Sequence, residues 1–257
     1  MLFYYTATGN CLYVAKMMEE NPKSIPQELK KAKLEYKDDI IGIVAPIYAG
    51  ELPKTVRRFI GSAKFEANYF YMILTYGNRD SVAGIWSYNY CYSNGIDMNY
   101  IQTIKMVDNY LPAFDMEEQI AMDKKEDEQI KIAIENIQKR VHFIPSPTKE
   151  GIAAYKMVSQ RFHEHPEMNN GESIIMSNRC VGCQICKQVC PIGNIKVIDG
   201  KAKRKNKVCD FCLACVHHCP FQAIDLVTDK NPKARYRHFG ITLKDIVKSN
   251  DQGEKEL

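Results

Sequence analysis

CVGCQICKQVCP (residues 180–191) and CDFCLACVHHCP (residues 209–220) carry eight of the ten cysteines in 257 residues. Both stretches spell C-x2-C-x2-C-x3-C-P. Cys180, Cys183, Cys186, Cys190, Pro191 and Ile195 recur as Cys209, Cys212, Cys215, Cys219, Pro220 and Ile224, each 29 residues later. An offset held at six positions describes two equivalent half-units. Thiolate is a soft donor, suited to iron–sulfur clusters and zinc.

The spacing separates these metals. Three thiolates at two-residue intervals wrap one face of a cubane, and the fourth begins a segment that leads to a neighbouring one. Proline after that cysteine fixes φ and brings no N–H to satisfy. On this rule Cys180, Cys183, Cys186 and Cys219 hold one [4Fe–4S] cluster, and Cys209, Cys212, Cys215 and Cys190 hold the other. Structural zinc is the competing reading. It needs neither the third x2 cysteine nor the whole unit twice. Disulfides fit poorly in a chain without secretion signals. His217 and His218 are expected at the surface beside the clusters, not as ligands. Residues 172–228 closely resemble the two-cluster bacterial ferredoxins. That resemblance implies a small α+β fold with approximate two-fold symmetry and electron passage between clusters, Asp199-Gly200 being the turn of the connecting hairpin.

Charge follows the same division. Residues 1–168 hold 20 Lys and Arg against 22 Asp and Glu, whereas residues 169–257 hold 15 against 9. KAKRKNK (residues 201–207) is read first as a solvated hairpin that offsets cluster charge. A docking patch for an acidic redox partner is its alternative. No aromatic platform accompanies the basic run, so nucleic acid is not expected.

Before the cysteine runs, Leu2–Tyr5, Ile40–Ala45, Tyr69–Thr75 and Tyr100–Val107 read as strands, each followed by a loop, with a weak edge strand between Ser24 and Leu34. Runs apolar on both sides suit interior parallel strands covered by helices. A long polar helix is expected over Glu117–Arg140, another over Ile152–Phe162, and a short one over Thr242–Lys248. The fold expected is α/β, an open doubly wound parallel sheet. The domains expected are 1–165, 172–228 and a C-terminal extension, 229–257, whose end SNDQGEKEL is expected to be disordered.

Three loops follow the first strands. Thr6, Thr8, Gly9, Asn10 and Cys11 sit where a helix begins, and small and hydroxyl residues there can surround a phosphate monoester. Pro46-Ile47-Tyr48-Ala49-Gly50 and Thr75-Tyr76-Gly77-Asn78 leave the next strands, and such loops converge at a switch point. The N-terminal region resembles the flavodoxin-like family. The resemblance implies FMN, with Thr6, Thr8, Gly9, Asn10 and Cys11 on its phosphate and Pro46, Tyr48, Ala49, Thr75, Tyr76 and Gly77 around its ring. Cys11 replaces the usual Ser or Thr. Asn109 and Tyr110 are read either as flavin rim or as a turn, Cys91 as a buried thiol, and Trp86 as helix packing.

The whole chain looks like the flavodoxin and ferredoxin fusion proteins of anaerobic bacteria and archaea. That likeness implies an electron-transfer flavoprotein relaying electrons between a ferredoxin-like carrier or other redox protein, two clusters and FMN. The alternatives are a flavin-dependent reductase of a small molecule and a redox sensor. No acid–base or nucleophilic set accompanies the loops. Hydrophobic residues at 45% and charged residues at 26% describe an ordinary globular chain. No apolar stretch approaches the roughly 18 residues that span a bilayer. The N-terminus lacks a basic leader, which predicts a cytoplasmic protein. A homodimer is left open.

Overall fold

The computed structural model describes residues Met1 to Gly253. Its contacts divide the chain into two compact units. The first comprises Met1–Tyr5, Asn10–Val107 and Lys124–Arg161; the second comprises Thr6–Gly9, Asp108–Asp123 and the residues from Phe162 onward. This division differs from a single cut between 165 and 172, because two short pieces from the N-terminal half gather with the C-terminal region.

In chain order the first unit opens with β1 (Leu2–Tyr4), α1 (Asn10–Met18), β2 (Lys23–Ser24), α2 (Ile25–Glu28) and β3 (Glu35–Lys37). It continues with β4 (Ile40–Pro46), α3 (Lys54–Ser62), β5 (Lys64–Glu66), β6 (Tyr69–Tyr76), α4 (Ala83–Ser93) and β7 (Tyr100–Lys105). After α5 (Met116–Ala121) in the second unit come α6 (Glu126–Gln138) and α7 (Lys149–Glu164). Strands β2, β1, β4, β6 and β7 form one parallel sheet in that order. In strand sequence this is 2-1-3-4-5, the flavodoxin-like doubly wound order.

The sequence explains the sheet. The run IIGIVAP of β4 is buried at every position from Ile41 to Ala45, as a central parallel strand covered on both faces requires. Gly42 pairs with Tyr71 across the sheet, and a Cβ there would stand 2.1 Å from Tyr71 Cζ. Helix α3 buries Thr55, Val56, Phe59 and Ile60, a single stripe. Phe59 joins Phe3, Tyr36 and Phe65 in one aromatic cluster with centroids 4.6 to 6.0 Å apart.

Two expected elements differ. The edge strand is only β2, because Pro26 at the start of α2 turns the chain into a helix. The long helix over 117–140 is two helices. Asp115 accepts the Glu117 N–H and caps α5, and Lys125 takes a left-handed φ of 54° before α6. The break separates α5 from α6 into different units.

The second unit holds the 3-10 turn Pro166–Met168, then β8 (Ile174–Met176), α8 (Ile185–Gln188), β9 (Ile195–Ile198), β10 (Lys201–Arg204), α9 (Ala214–His217), β11 (Ile224–Leu226) and α10 (Leu243–Asn250). β9 pairs antiparallel with β10, and β11 with β8. Asp199 and Gly200 both have positive φ, 52° and 70°, as a two-residue hairpin turn demands. The 29-residue repeat is visible in the backbone. α9 is α8 displaced by 29, and the left-handed residues Gly182, Gln184 and Gly193 recur as Phe211, Leu213 and Gln222.

The short helix expected over Thr242–Lys248 is α10, and the departure from expectation begins at Ser249. Thr242 and Asp245 form a reciprocal capping box at the head of α10. Ser249 and Asn250 are buried, 1% and 0% exposed. Residues 251–253 are described and the remaining expectation, 254–257, lies outside the described residues. No helix of the described residues is long and apolar enough to cross a membrane.

Candidate functional site

The two half-units create two thiol-lined cavities. Cys180, Cys183, Cys186 and Cys219 line one, together with Val181, Val197, Ala202 and Phe221. Cys190, Cys209, Cys212 and Cys215 line the other, with Ile174, Ile192, Ile195 and Ala214 among the apolar residues. Each cavity therefore takes three cysteines from one run and the last cysteine of the other. Among the described residues no three His, Cys, Asp or Glu side chains gather closely enough to hold a single metal ion. The thiols surround spaces instead of converging on points.

Local conformation aims the sulfurs. Left-handed residues between successive cysteines reverse the chain within each run. Close approach is also demanded elsewhere. A Cβ on Gly182 would stand 2.7 Å from the Gly200 carbonyl oxygen, and one on Gly171 would stand 2.8 Å from Cys209 Cβ. Gly171 lies in a stretch that reads as a plain linker, so its role is not legible in the sequence.

Backbone N–H groups point at sulfurs of both runs. Asn194 N–H donates to Cys190 Sγ at 3.3 Å, and its repeat partner Ala223 donates to Cys219 Sγ at 3.2 Å. Phe211 donates to Cys209 and Ala202 to Cys180, both at 3.3 Å. Such bonds stabilise thiolate and tune cluster potential. Burial pushes the Cys186 thiol up to about 12, with Cys219, Cys180 and Cys183 adding to the rise. Burial likewise raises Cys209 to about 11 and lifts Cys212 and Cys215 well above the ordinary range. Several sulfurs held together in an apolar wall become stable thiolates only around a cationic group. The donor set fits iron–sulfur clusters.

Residues 172–231 match the 4Fe-4S dicluster domain. This iron–sulfur assignment covers the second unit's core. Among curated proteins, the putative oxidoreductase AegA of Escherichia coli is 35% identical over 66 residues, which is 21% of this chain and 10% of that protein. The putative electron transport protein YsaA of E. coli is 33% identical over 61 residues, 21% of this chain and 39% of that one. A component of the ion-translocating oxidoreductase complex of Methanosarcina acetivorans is 43% identical over 47 residues, 18% of each chain. The chain thus spans well under half the length of these relatives. Among solved structures, the Flv1 flavodiiron core from Synechocystis aligns with a TM-score of 0.27 and 13% identity over 54% of this chain and 35% of that one. So low a score assigns no fold by itself, and the α/β assignment rests on strand order.

Both histidines of the second run are buried, 6% exposed each, not at the surface as expected. His217 Nδ1 accepts the Tyr236 N–H at 3.1 Å, which leaves Nε2–H to donate to the Asn109 carbonyl at 2.9 Å. Burial pushes it down to about 3, so the ring is a neutral, fully bonded strut. His218 Nδ1 donates to the Ala214 carbonyl.

The expected phosphate-loop residues fall in two groups. In the second unit, Thr6 Oγ1 accepts the Gly9 N–H at 3.1 Å, and Thr8 Oγ1 accepts the Asn109 side-chain amide at 2.6 Å. Asn109 therefore bridges Thr8 and His217. His238 N–H donates to the Thr8 carbonyl at 2.9 Å. In the first unit, Asn10 donates to the Val107 carbonyl, and Cys11 Sγ lies 3.1 Å from Thr75 Oγ1. Thr75 and Cys11 thus satisfy one another, and the Cys11 side chain is occupied.

The ring-loop residues lie at the ends of β4 and β6. Pro46 closes β4, and Thr75 and Tyr76 close β6. Tyr48 and Glu51 exchange backbone hydrogen bonds at 2.9 and 3.1 Å around Ala49 and Gly50, whose φ values are 55° and 86°. Tyr48, Tyr76 and Gly77 are half-buried and Ala49 is exposed. Cys91 is fully buried in α4, and Trp86 stacks on Tyr90 at 5.3 Å beneath Arg57.

Proposed function

We propose that this chain is an electron-transfer protein whose second unit holds two [4Fe–4S] clusters and whose strand-end loops hold FMN. Cys180, Cys183, Cys186 and Cys219 are the ligands of the first cluster, and Cys209, Cys212, Cys215 and Cys190 those of the second. The observation that carries the proposal is the exchange of fourth cysteines between runs: each cavity borrows one thiol from the other half-unit. That exchange ties both sites into one body and keeps neighbouring clusters close, as the two-cluster spacing requires.

For the flavin, the donor set at the head of α1 suits a phosphate monoester. The Thr6 and Thr8 hydroxyls each accept an N–H, so each retains its proton to donate to an anion. Gly9 closes the turn through its N–H to Thr6, and Asn10 and Cys11 stand at the start of a nine-residue helix, where the dipole favours negative charge. Cys11 contributes backbone only, its thiol being turned to Thr75. Pro46, Tyr48, Ala49, Thr75, Tyr76 and Gly77 present amide groups and two tyrosine faces to a planar ring. Bound together, the cubanes exchange single electrons and the flavin one or two, which suits a relay between a ferredoxin-like carrier and a further acceptor.

Anaerobic purification with iron, sulfide and flavin measured together tests this. About eight iron and eight sulfide per chain are expected, with about one FMN after reconstitution. Zinc in place of iron rejects the clusters, and no flavin after reconstitution rejects the flavin assignment. Steady turnover of a small molecule without any protein carrier would turn the relay into a reductase.

A further inference from the structure

The basic hairpin has two unlike faces. Strand alternation sends Val197 of β9 and Ala202 of β10 inward, where both line the Cys180/Cys183/Cys186/Cys219 cavity, and the Ala202 N–H reaches Cys180 Sγ. The opposite face carries Lys196, Ile198, Lys201 and Lys203, all exposed. Lys203 stands directly across from Lys196 in the ladder, and like charges opposite one another destabilise a pair of strands. Among the described residues neither lysine has a carboxylate partner.

Offsetting cluster charge accounts for only part of this. Lys201 Nζ turns back to the Asn178 and Cys180 carbonyls at 3.0 and 2.7 Å, which places its charge beside the ligand loop. Lys196 and Lys203 lie on the face turned away from the cavity. The cavity beneath them has an exposed rim. Cys183 is an exposed thiol, and Val181 and Phe221 at the rim are 57% and 49% exposed. In the other cavity Cys190 is 9% exposed and Cys209, Cys212 and Cys215 are each partly covered.

We propose that the outer face of the β9–β10 hairpin is the docking surface for an acidic one-electron carrier protein, and that the cluster held by Cys180, Cys183, Cys186 and Cys219 exchanges electrons with it. This rests on the cluster assignment above. Carboxylates around the carrier's cofactor edge pair with Lys196 and Lys203 and relieve their mutual repulsion, while Ile198 on the same face supplies an apolar contact. The exchange balances simply. The reduced carrier loses one electron, the oxidised cluster gains it, and no proton or bond changes place.

The test is stopped-flow reduction of the anaerobically loaded protein by a reduced acidic ferredoxin, at low and high salt. Lys196→Glu/Lys203→Glu should slow the second-order rate about tenfold or more at low salt, the loss fading as salt rises. Lys196→Gln/Lys203→Gln should give an intermediate loss. Reduction by the uncharged radical of photoreduced deazariboflavin should stay within about twofold for both variants. Iron and sulfide equal to the parent protein certify that the hairpin still folds. A charge-matched control, Lys131→Glu/Lys139→Glu, should leave the carrier rate within about twofold. The proposal is overturned if the control slows the reaction as much as the hairpin reversal, if the rate ignores both salt and reversal, or if nucleic acid and not the carrier occupies the hairpin. Absence of iron and sulfide from the parent protein defeats the cluster assignment itself, a separate outcome.

Discussion

Asn250 and Thr6, 244 positions apart, are joined by a hydrogen bond of 2.9 Å from the Asn250 side-chain amide to the Thr6 carbonyl. The same amide donates to the Val189 carbonyl at 3.2 Å, one residue before Cys190. Asn250 is fully buried. A single side chain thus ties the loop after β1 to the first cysteine run. Buried carbonyls that lose their donor cost about 1–3 kcal/mol each. Asn250→Ala should lower the thermal midpoint by several degrees, and Asn250→Asp, which replaces the donor by an acceptor, should do at least as much. Circular dichroism melting checks both; an unchanged midpoint for the two variants would contradict the tie.

The exchange of fourth cysteines predicts an unusual pattern of metal loss. Cys180→Ala/Cys219→Ala removes two cysteines from one cavity although they lie in different runs, so about four of eight iron should remain. Cys180→Ala/Cys190→Ala removes two cysteines of one run but strikes both cavities, so both clusters should be lost or crippled. Iron and sulfide analysis with low-temperature EPR separates this from pairing within each run.

Gly9 has φ of 110°, and a Cβ there would meet His238 Cβ at 3.0 Å and Ile241 Cβ at 3.1 Å. Gly9→Ala should therefore destabilise by about 1–3 kcal/mol through backbone strain and crowding. Urea titration measures that loss. Flavin retention should fall as well, with iron content unchanged, which a flavin and iron assay on the same sample reads directly.

Two thiols outside the runs should resist alkylation. Burial pushes Cys11 up to about 12 despite the Thr75 hydroxyl, and burial alone does the same for Cys91. Both thiols begin from 9.0. Between pH 9 and 12 the folded chain holds protons that the unfolded chain releases. Their contribution to stability is complete below pH 9 and is lost as pH rises toward 12, by about 1.4 kcal/mol per pH unit for each thiol. Iodoacetamide at pH 8 should modify neither cysteine in the folded protein and both in denaturant, as peptide mass mapping will show; prompt labelling of the native protein would refute it.

The strands and the cysteine pattern are legible because each is written locally. Apolar runs flanked by loops mark β1, β4, β6 and β7, and thiol spacing is a covalent property of the run. The two-helix break at Met122–Lys125 leaves no such mark, because polar residues with good helix propensity run straight through it. It depends on the Asp115 cap and on the left-handed Lys125. The burial of His217 is hidden for a different reason: its partners, Asn109 and Tyr236, come from distant segments.

What the amino-acid order by itself determined is the doubly wound sheet, the duplicated half-unit and the hairpin turn at Asp199-Gly200, since hydrophobic period, repeat offset and turn chemistry act over a few residues. Only the tertiary structure decided that the end of the last helix would be buried, with Asn250 holding Thr6 and Val189, and that Lys196 and Lys203 would share a face turned from the thiols. The first follows from Asn250 meeting carbonyls that no nearby residue could satisfy. The second follows from the register of two strands, which sorts side chains to opposite faces only once they are paired.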